Sequence, residues 1–235
     1  MSGYLSALLP AGSARRWVVS GLFRHPLTFG AALVRSAYAS WRLTGRVSGL
    51  PVRISPGQQL AIRCDKGALV ELFGCLYAVP WGGARGISSI TVGSQATLRL
   101  QGDFTIGHNV HLSVSSGGLL EIGGVRLSSG SGITCDARVM AAADIRIGAD
   151  TIIAWGVFIT DSDWHQVDGK TRMAPVAIGD HVWIAHDCSV LRGAVIPNGS
   201  VVGAKSIVST DYHEPRILLA GNPARIVRRD IQWAR

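Results

Sequence analysis

The chain has 235 residues, of which 47% are hydrophobic, and this is enough for one globular domain with a buried core. No uninterrupted apolar stretch approaches the roughly 20 residues that a helix needs to span a bilayer. The formal net charge is +8, and residues 1–64 hold eight arginines and no acidic residue. Composition therefore argues against a membrane-spanning helix and predicts a soluble or peripheral protein with a basic N-terminal segment.

A helix is predicted to begin at Pro26, because proline suits the first turn of a helix. One face of this helix would carry Leu27, Ala31, Val34, Tyr38 and Trp41, while Arg35, Arg42 and Arg46 lie away from it. Two interpretations stay open. The segment either docks on an anionic membrane surface, through residues 14–46, or covers the open end of the fold that follows. Arginines interrupt the apolar run, which argues against a cleaved secretory signal, and an organellar transit peptide is a minor alternative.

A six-residue repeat dominates the C-terminal third of the chain. The aliphatic positions of the repeat are Ile178, Ile184, Val190, Ile196, Val202 and Val208, and the compact positions that follow are Val182, Cys188, Ala194, Ser200 and Ser206. A fixed short period indicates a solenoid. Six residues suit one short strand and a corner, so three units would close a triangular coil. Each buried Val or Ile contributes roughly 1.5–3 kcal/mol, and the intervening Gly, Asp and Asn suit turns with positive φ or local side-chain bonds.

The repeat weakens towards the N-terminus. Ile147, Ile153 and Ile159 keep the six-residue spacing, but earlier apolar-glycine pairs are spaced irregularly. We therefore expect ragged early coils with bulges or short insertions, and regular coils from about Ile145 onward. The polar interval between Ile159 and Ile178 should leave the prism as a loop over residues 160–177. The predicted organisation is an N-terminal helical segment over 1–50, a β-helix over 51–215 and a closing segment over 216–235.

The four cysteines, Cys64, Cys75, Cys135 and Cys188, form no CxxC pair, and Cys188 falls on a compact position of the repeat. Buried reduced thiols are therefore predicted in preference to a metal site or disulfides. A reducing cytoplasm follows as the expected location, with peripheral contact at the inner face of the cytoplasmic membrane as an option.

The stretch from Ile178 to Arg228 combines a VWI segment, regular six-residue repeats and a GNPAR motif at residues 221–225. In this combination it resembles the hexapeptide-repeat acyltransferases, in the branch of maltose, galactoside and polysaccharide O-acetyltransferases. The broader likeness begins near Val92. It implies an all-β, left-handed parallel β-helix, assembled as a homotrimer with acetyl-coenzyme A between neighbouring prisms. It also implies a saccharide or glycolipid acceptor, in surface polysaccharide or glycolipid biosynthesis.

Acyl transfer to a sugar needs a base, and a neutral imidazole is well suited to that role near pH 7. In this branch a histidine on the projecting loop acts as the base, and His165, within DSDWHQ, is the matching position. An aspartate bonded to one ring nitrogen would orient the imidazole. Asp163 is preferred for this over Asp161, although either also suits the capping of a turn.

The resemblance also implies where the coenzyme binds. The matching positions are Trp183, Ala185, Gly203, Ala204, Lys205 and Arg225. Backbone groups near the two alanines and the glycine would hold the pantetheine arm, while the two basic side chains would meet the phosphates. Many relatives have glycine at the positions of Ala185 and Lys205, so the match is imperfect there. Trp183 is expected to cover the coil exterior near a subunit boundary, with a coenzyme contact as the alternative.

Three other functions stay open as alternatives. An N-acyltransferase acting on an amino sugar or amino acid would use the same base and groove, and a non-enzymatic solenoid would be a scaffold. The spacing of His181 and His186 is similar to that of zinc ligands in γ-class carbonic anhydrases, but Asp180 shifts the first histidine and no third ligand is evident, so no metal is expected. His108 and His111 are expected at corners or on the surface, with the acceptor pocket as the alternative. No nucleic-acid partner is expected.

Overall fold

The computed structural model describes residues 26–80, 85–123, 131–166, 168–169 and 172–234. Residues 1–25 of the predicted N-terminal segment therefore lie outside the described residues, as do positions 167, 170 and 171 of the predicted loop.

Three β-sheets form the sides of a prism, and successive strands enter sheets A, B and C in turn. Sheet A has the order β1 (Val52–Ile54), β4 (Leu76–Ala78), β7 (Phe104–Ile106), β10 (Ser131–Ile133), β13 (Ile152–Ile153), β16 (Trp183–Ile184), β19 (Val201–Val202), β21 (Leu218–Gly221) and β22 (Ala224–Arg228). Sheet B has the order β2 (Leu60–Cys64), β5 (Ser88–Val92), β8 (His111–Val114), β11 (Arg138–Ala141), β14 (Phe158–Thr160), β17 (Ser189–Val190) and β20 (Ile207–Val208). Sheet C has the order β3 (Leu69–Leu72), β6 (Thr97–Leu100), β9 (Leu119–Ile122), β12 (Asp144–Ile147), β15 (Val176–Ile178) and β18 (Val195–Ile196). The corners are named AB, BC and CA after the sheets that they join.

The core fills the inside of this prism, as the six-residue spacing predicts. The six aliphatic positions from Ile178 to Val208 are all at most 3% exposed, and the compact position Cys188 is 1% exposed. Along the longer strands buried and partly exposed residues alternate, because successive side chains of a strand point to opposite faces. One face of every sheet therefore contributes to a common interior.

The early coils are more regular than the sequence predicts. Parallel pairing begins at Val52, and β2 and β5 pair over five residues, from Leu60 with Ser88 to Cys64 with Val92. The irregular spacing of the apolar-glycine pairs thus falls in the corners, where a change in length leaves the register of the strands intact. Among the described strands before Ile145 no bulge interrupts the pairing, whereas the expected short insertions fall in the connections, as in the stretch 79–87 between β4 and β5.

Positive φ values recur at the corners of the prism. At corner AB the turns place Asp136, Gly156, Asp187 and Lys205 at φ values of 53°, 71°, 55° and 60°. Glycine suits position 156, because its positive φ is unfavourable for other residues and a Cβ atom there would force the Asp187 carboxylate to move. The predicted preference of these corners for Gly, Asp and Asn is therefore confirmed.

The acidic and amide side chains of the corners also tie neighbouring coils together. At corner CA the Oδ1 atom of Asp180 accepts a hydrogen bond from the Ala149 amide at 2.7 Å, and Oδ1 of Asn198 accepts one from the Asp180 amide at 2.8 Å. The sequence predicted local bonds within a turn, whereas these bonds connect successive coils. They satisfy backbone donors that the strands leave unpaired.

Helix α1 (Pro26–Thr44) lies against the first coil and packs on β1, β2 and β3. Its buried Ser36 and Ser40 bind the edge of β1: the Ser36 Oγ atom accepts from the Ile54 amide at 2.8 Å, and Ser40 Oγ accepts from the Val52 amide at 3.1 Å. The helix thus covers the open end of the prism. In the described residues, no helix has the length and apolarity that crossing a membrane requires.

A hairpin closes the other end. Strand β21 pairs in parallel with β19, and β22 then pairs with β21 in an antiparallel manner. The GNPAR motif, residues 221–225, comprises the last residue of β21, the two connecting residues and the first two residues of β22.

Candidate active site

The loop between β14 and β15 projects from corner BC, and its base is fixed by Asp161. This side chain is fully buried, and its carboxylate accepts hydrogen bonds from the amides of Ala142, Ala143 and Asp144 at 2.7, 2.7 and 2.6 Å. These amides belong to corner BC of the preceding coil. Because charge-assisted bonds of this kind are strong, Asp161 anchors the loop to the coil before it.

The second strand of the loop base runs back antiparallel to the first. Ser162 forms an isolated bridge with Met173, and the Asp163 amide donates to the Arg172 carbonyl at 2.8 Å. The Asp163 carboxylate is about half exposed and accepts a hydrogen bond from Nε of Arg192, at corner BC of the following coil. The loop is thereby held from the coil on each side.

His165 lies at the exposed tip of this short hairpin. Its amide donates to the Asp163 carbonyl at 2.7 Å, which closes a tight turn through Trp164, whose φ is 61°. Within the part of the chain that the structure describes, the imidazole ring makes no hydrogen bond or ion pair. A ring in this position is open to an acceptor hydroxyl.

The structure brings the three predicted catalytic residues into one loop but joins neither carboxylate to the His165 ring. Asp161 faces backbone amides and Asp163 faces Arg192. The role of an aspartate in orienting His165 stays a prediction. Arg192 was not predicted from the sequence, since only the stacking of coils brings it to the loop.

Of the residues predicted to hold the coenzyme, Ala185, Gly203, Ala204 and Lys205 lie at corner AB of the last coils, while Trp183 and Arg225 lie on strands β16 and β22. The Ala185 amide donates to the Val202 carbonyl and the Gly203 amide to the Leu219 carbonyl, so both amides belong to the coil ladder. In the described structure no hydrogen bond uses the Ala204 amide or the Ala185 carbonyl. One backbone donor and one backbone acceptor at this corner thus lack a partner in the described structure.

Two exposed cations flank this backbone. Lys205 occupies the positive-φ position of corner AB, and its side chain is exposed. Its amide donates a hydrogen bond to the His186 carbonyl at 3.0 Å, which holds the backbone in place. Arg225 is exposed on β22, and its Nη1 atom donates to the Ala224 carbonyl at 2.9 Å. Trp183 is 40% exposed on β16, which places it on the outside of the coil as the sequence predicts.

Histidines 181 and 186 lie at opposite ends of β16, each beside an aspartate and a tryptophan. Nδ1 of His181 lies 2.6 Å from Oδ2 of Asp150, and the His181 ring stacks on Trp233. His186 stacks on Trp155 with centroids 5.1 Å apart, at corner AB. The described residues contain no group of three or more His, Cys, Asp or Glu suited to hold a metal ion.

A hydrogen-bonded chain on the outer face of sheet B was not predicted. Ser89 Oγ lies 2.8 Å from Nδ1 of His111, and Nε2 of His111 lies 2.9 Å from Oδ1 of Asn109. Because Asn109 donates through Nδ2 to Asp136, its Oδ1 accepts from His111, and Nδ1 then accepts from Ser89. Burial and Arg138 lower the pKa of His111 below its usual range.

The sequence carries no signal for this series of hydrogen bonds, since Ser89 and His111 become neighbours only through the β5–β8 register. His108, expected at a corner or on the surface, lies in corner AB but is 7% exposed and thus buried.

The four cysteines are free thiols: Cys135 and Cys188 are buried, and Cys64 and Cys75 are partly buried. The prediction of burial thus holds fully for two of the four. Burial raises the pKa of the Cys135 thiol to about 11, so it is protonated and unreactive at neutral pH.

No protein-family model matches this chain. The WbbJ protein of Escherichia coli (strain K12), provisionally named a lipopolysaccharide biosynthesis O-acetyl transferase, is 33% identical over 106 residues, which cover 39% of this chain and 54% of WbbJ. The provisionally named acetyltransferase YJL218W of Saccharomyces cerevisiae (strain ATCC 204508 / S288c) is 34% identical over 93 residues, 35% of this chain and 47% of YJL218W. The chain spans about half the length of these relatives.

Among solved structures, the polySia specific acetyltransferase NeuO has a TM-score of 0.53 at 24% identity, covering 75% of this chain and 89% of NeuO. This likeness shows the fold, a left-handed β-helix. The predicted fold class is therefore confirmed. The predicted resemblance to hexapeptide-repeat acetyltransferases is confirmed as well.

Proposed function

We propose that this chain is a hexapeptide-repeat O-acetyltransferase that transfers the acetyl group of acetyl-coenzyme A to a hydroxyl of a saccharide or glycolipid. The observation that carries the proposal is the imidazole of His165, which is exposed and makes no hydrogen bond in the described structure. Asp161 fixes the start of its loop to the β-helix. The relationship to WbbJ supports a saccharide acceptor of the kind used in surface polysaccharide biosynthesis.

His165 acts as the general base in this proposal. Its imidazole takes the proton from the sugar hydroxyl while the hydroxyl oxygen attacks the thioester carbonyl carbon. The new carbon–oxygen bond forms, the carbon–sulfur bond breaks, and the proton passes from the imidazolium to the departing sulfur. The products are the acetylated sugar and coenzyme A, and the imidazole is again neutral.

Corner AB is proposed as the coenzyme site. The free Ala204 amide and Ala185 carbonyl suit the amides of a pantetheine arm, beside Gly203. Lys205 and Arg225 are exposed cations that suit the phosphates, because ammonium and guanidinium groups donate charge-assisted hydrogen bonds to phosphate oxygens. Trp183 is proposed as the side chain that covers the arm.

The base and the coenzyme residues lie at different corners of the prism. His165 projects from corner BC, and Ala204 and Lys205 lie at corner AB, so the width of sheet B separates the two sets. An assembly in which corner BC of one prism meets corner AB of another would bring them together. This separation supports a homotrimer with the active site between chains, and light scattering of the purified full chain tests it.

The activity is tested by measuring thiol release from acetyl-coenzyme A with a panel of sugar and amino acceptors. We expect release with sugars, and a decrease of about 100-fold or more in His165→Ala, with coenzyme affinity nearly unchanged. His213→Ala is the matched control, since His213 is also exposed but lies outside the loop. A His165→Ala variant that keeps most of its activity would show that the base is misassigned.

Two other outcomes separate the alternative functions. Release only with amino acceptors would identify an N-acyltransferase. No release with any acceptor, together with no binding of coenzyme A, would support a non-enzymatic scaffold. We propose the cytoplasm as the location of the reaction, with peripheral contact at the inner face of the cytoplasmic membrane.

A further inference from the structure

Helix α1 has two faces with different roles. The buried face consists of Phe29, Ala32, Ser36, Ala39, Ser40 and Leu43, each at most 6% exposed. The opposite face consists of Leu27, Ala31, Val34, Tyr38 and Trp41, and all five are exposed. The five outer residues share one face, as the sequence predicts, but this is not the face that packs on the β-helix.

The buried face alone accounts for the capping of the prism. Ser36 and Ser40 occupy the backbone donors of the β1 edge, and Leu43 and Ala39 belong to the common core. The outer face contributes nothing to this contact. The apolar character of the outer face therefore needs a different explanation.

The outer face is unusually apolar for a solvent-exposed helix. Leu27 is 91% exposed, Val34 70%, Tyr38 58% and Trp41 55%. Single exposed apolar residues are common on protein surfaces, but a continuous stripe along a helix marks a contact surface. Tyr38 and Trp41 adjoin each other, with ring centroids 6.3 Å apart. Tyrosine and tryptophan are the side chains that favour the boundary between hydrocarbon and headgroups.

The charge beside this stripe is of one sign. Arg35 and Arg42 lie on one flank of the stripe, and Arg46 is exposed just after the helix end. The helix sequence holds no acidic residue, and the first acidic residue of the chain is Asp65. A second copy of the same face would bring like charges together, which disfavours self-association through this face. A partner that matches this face of α1 must therefore offer both negative charge and an apolar surface.

We infer that the outer face of α1 is an interfacial anchor for an anionic lipid surface. Its apolar stripe inserts at the level of the headgroups while Arg42 and Arg46 contact lipid phosphates. Amphipathic basic helices that lie in the plane of a membrane combine these two features. Capping of the prism and membrane contact are thus compatible, because each uses its own face of the helix.

The test is co-sedimentation of the purified full chain with vesicles, which needs no acyl acceptor and is independent of the proposed activity. We expect the chain to pellet with vesicles of phosphatidylcholine and phosphatidylglycerol, and much less with phosphatidylcholine alone. A high salt concentration should weaken the binding, since screening reduces the contribution of the arginines. Recovery in the supernatant with both vesicle compositions would overturn the inference.

Variants of the outer face make the test specific. Val34→Ser combined with Trp41→Ser should lower the bound fraction at least fivefold, because both side chains are exposed and their replacement leaves the packed face intact. Phe73→Ser combined with Val227→Ser is the matched control, since both of these apolar side chains are also exposed but lie outside α1. Equal pelleting of the α1 variant and the wild type would contradict the inference. Binding of the outer face to a purified acidic protein, without binding to vesicles, would contradict it as well.

Discussion

The indole ring of Trp233 stacks on the imidazole ring of His181, with centroids 4.1 Å apart and ring planes 10° apart. Trp233 also donates from Nε1 to the His181 carbonyl at 3.1 Å, and its own carbonyl lies 3.2 Å from Nε2 of His181. The Trp233 ring also lies 6.2 Å from that of Trp183. The C-terminal segment is thereby fastened to corner CA, beside the side chain proposed to cover the coenzyme.

Trp233→Ala is expected to lower the free energy of unfolding by about 2 kcal/mol, since it removes both an aromatic stack and a hydrogen bond. Urea denaturation of the full chain measures this. Trp164→Ala is the control, because Trp164 is partly exposed and makes no ring contact in the described structure, and its effect should stay within about 0.5 kcal/mol. Equal effects of the two variants would show that the stack adds no stability.

Asp161→Asn is expected to destabilise the chain by about 2–4 kcal/mol. The asparagine oxygen cannot accept from three amides, and its own NH₂ group would face a donor in a buried site. Asp163→Asn should cost less than about 1 kcal/mol, since its ion pair with Arg192 is exposed. Thermal unfolding compares the two variants.

The same pair of variants separates structural from catalytic effects. Because Asp163→Asn is expected to fold like the wild type, a loss of turnover in that variant would report on the orientation of His165. An Asp161→Asn variant as stable as the wild type would contradict the anchoring role of Asp161.

Ser40→Ala is expected to lower the free energy of unfolding by about 1–3 kcal/mol, because it leaves the Val52 amide and carbonyl without their side-chain partner in a buried contact. Ser36→Ala should have a similar effect through the Ile54 amide. Ser48→Ala, at an exposed turn, is the control and should change little. Urea denaturation measures all three, and an unchanged midpoint in both helix variants would refute the edge-capping role of α1.

Stability should fall in mild acid through His111. Burial lowers the pKa of this histidine in the folded chain below its ordinary value of 6.5. The unfolded chain therefore binds a proton more readily, and stability is lost as pH falls through about 6.5. The melting temperature should drop between pH 7.5 and pH 5.5, and His111→Gln should reduce the drop. A drop of the same size in that variant would contradict this, and His213→Gln, at an exposed position, is the control.

Much of the fold was predictable because the repeat is local. A six-residue unit contains one inward residue and one corner, so the spacing from Ile178 to Val208 defines both the strands and the core without any knowledge of distant contacts. The loop between β14 and β15 was predictable for the same reason, since an interval that breaks the period cannot enter the prism. His165 was placed on that loop by resemblance and by the chemistry of a base.

The partners of the loop carboxylates were not predictable in the same way. Asp161 and Asp163 are two residues apart in the sequence, and both looked suited to the His165 ring. The stacking of coils decides instead, because it places three backbone amides against Asp161 and Arg192 against Asp163. The hydrogen bonds that link Ser89, His111 and Asn109 likewise exist only because of the register of sheet B.

The sequence by itself determined the three-sided β-helix, the projecting loop and the single sign of charge at the N-terminal end. Each of these follows from residue type and spacing along the chain. Only the tertiary structure decided that α1 packs through its serine face and exposes Val34 and Trp41, and that Trp233 returns to His181. These arrangements depend on contacts between residues far apart in the chain, which periodicity alone does not specify.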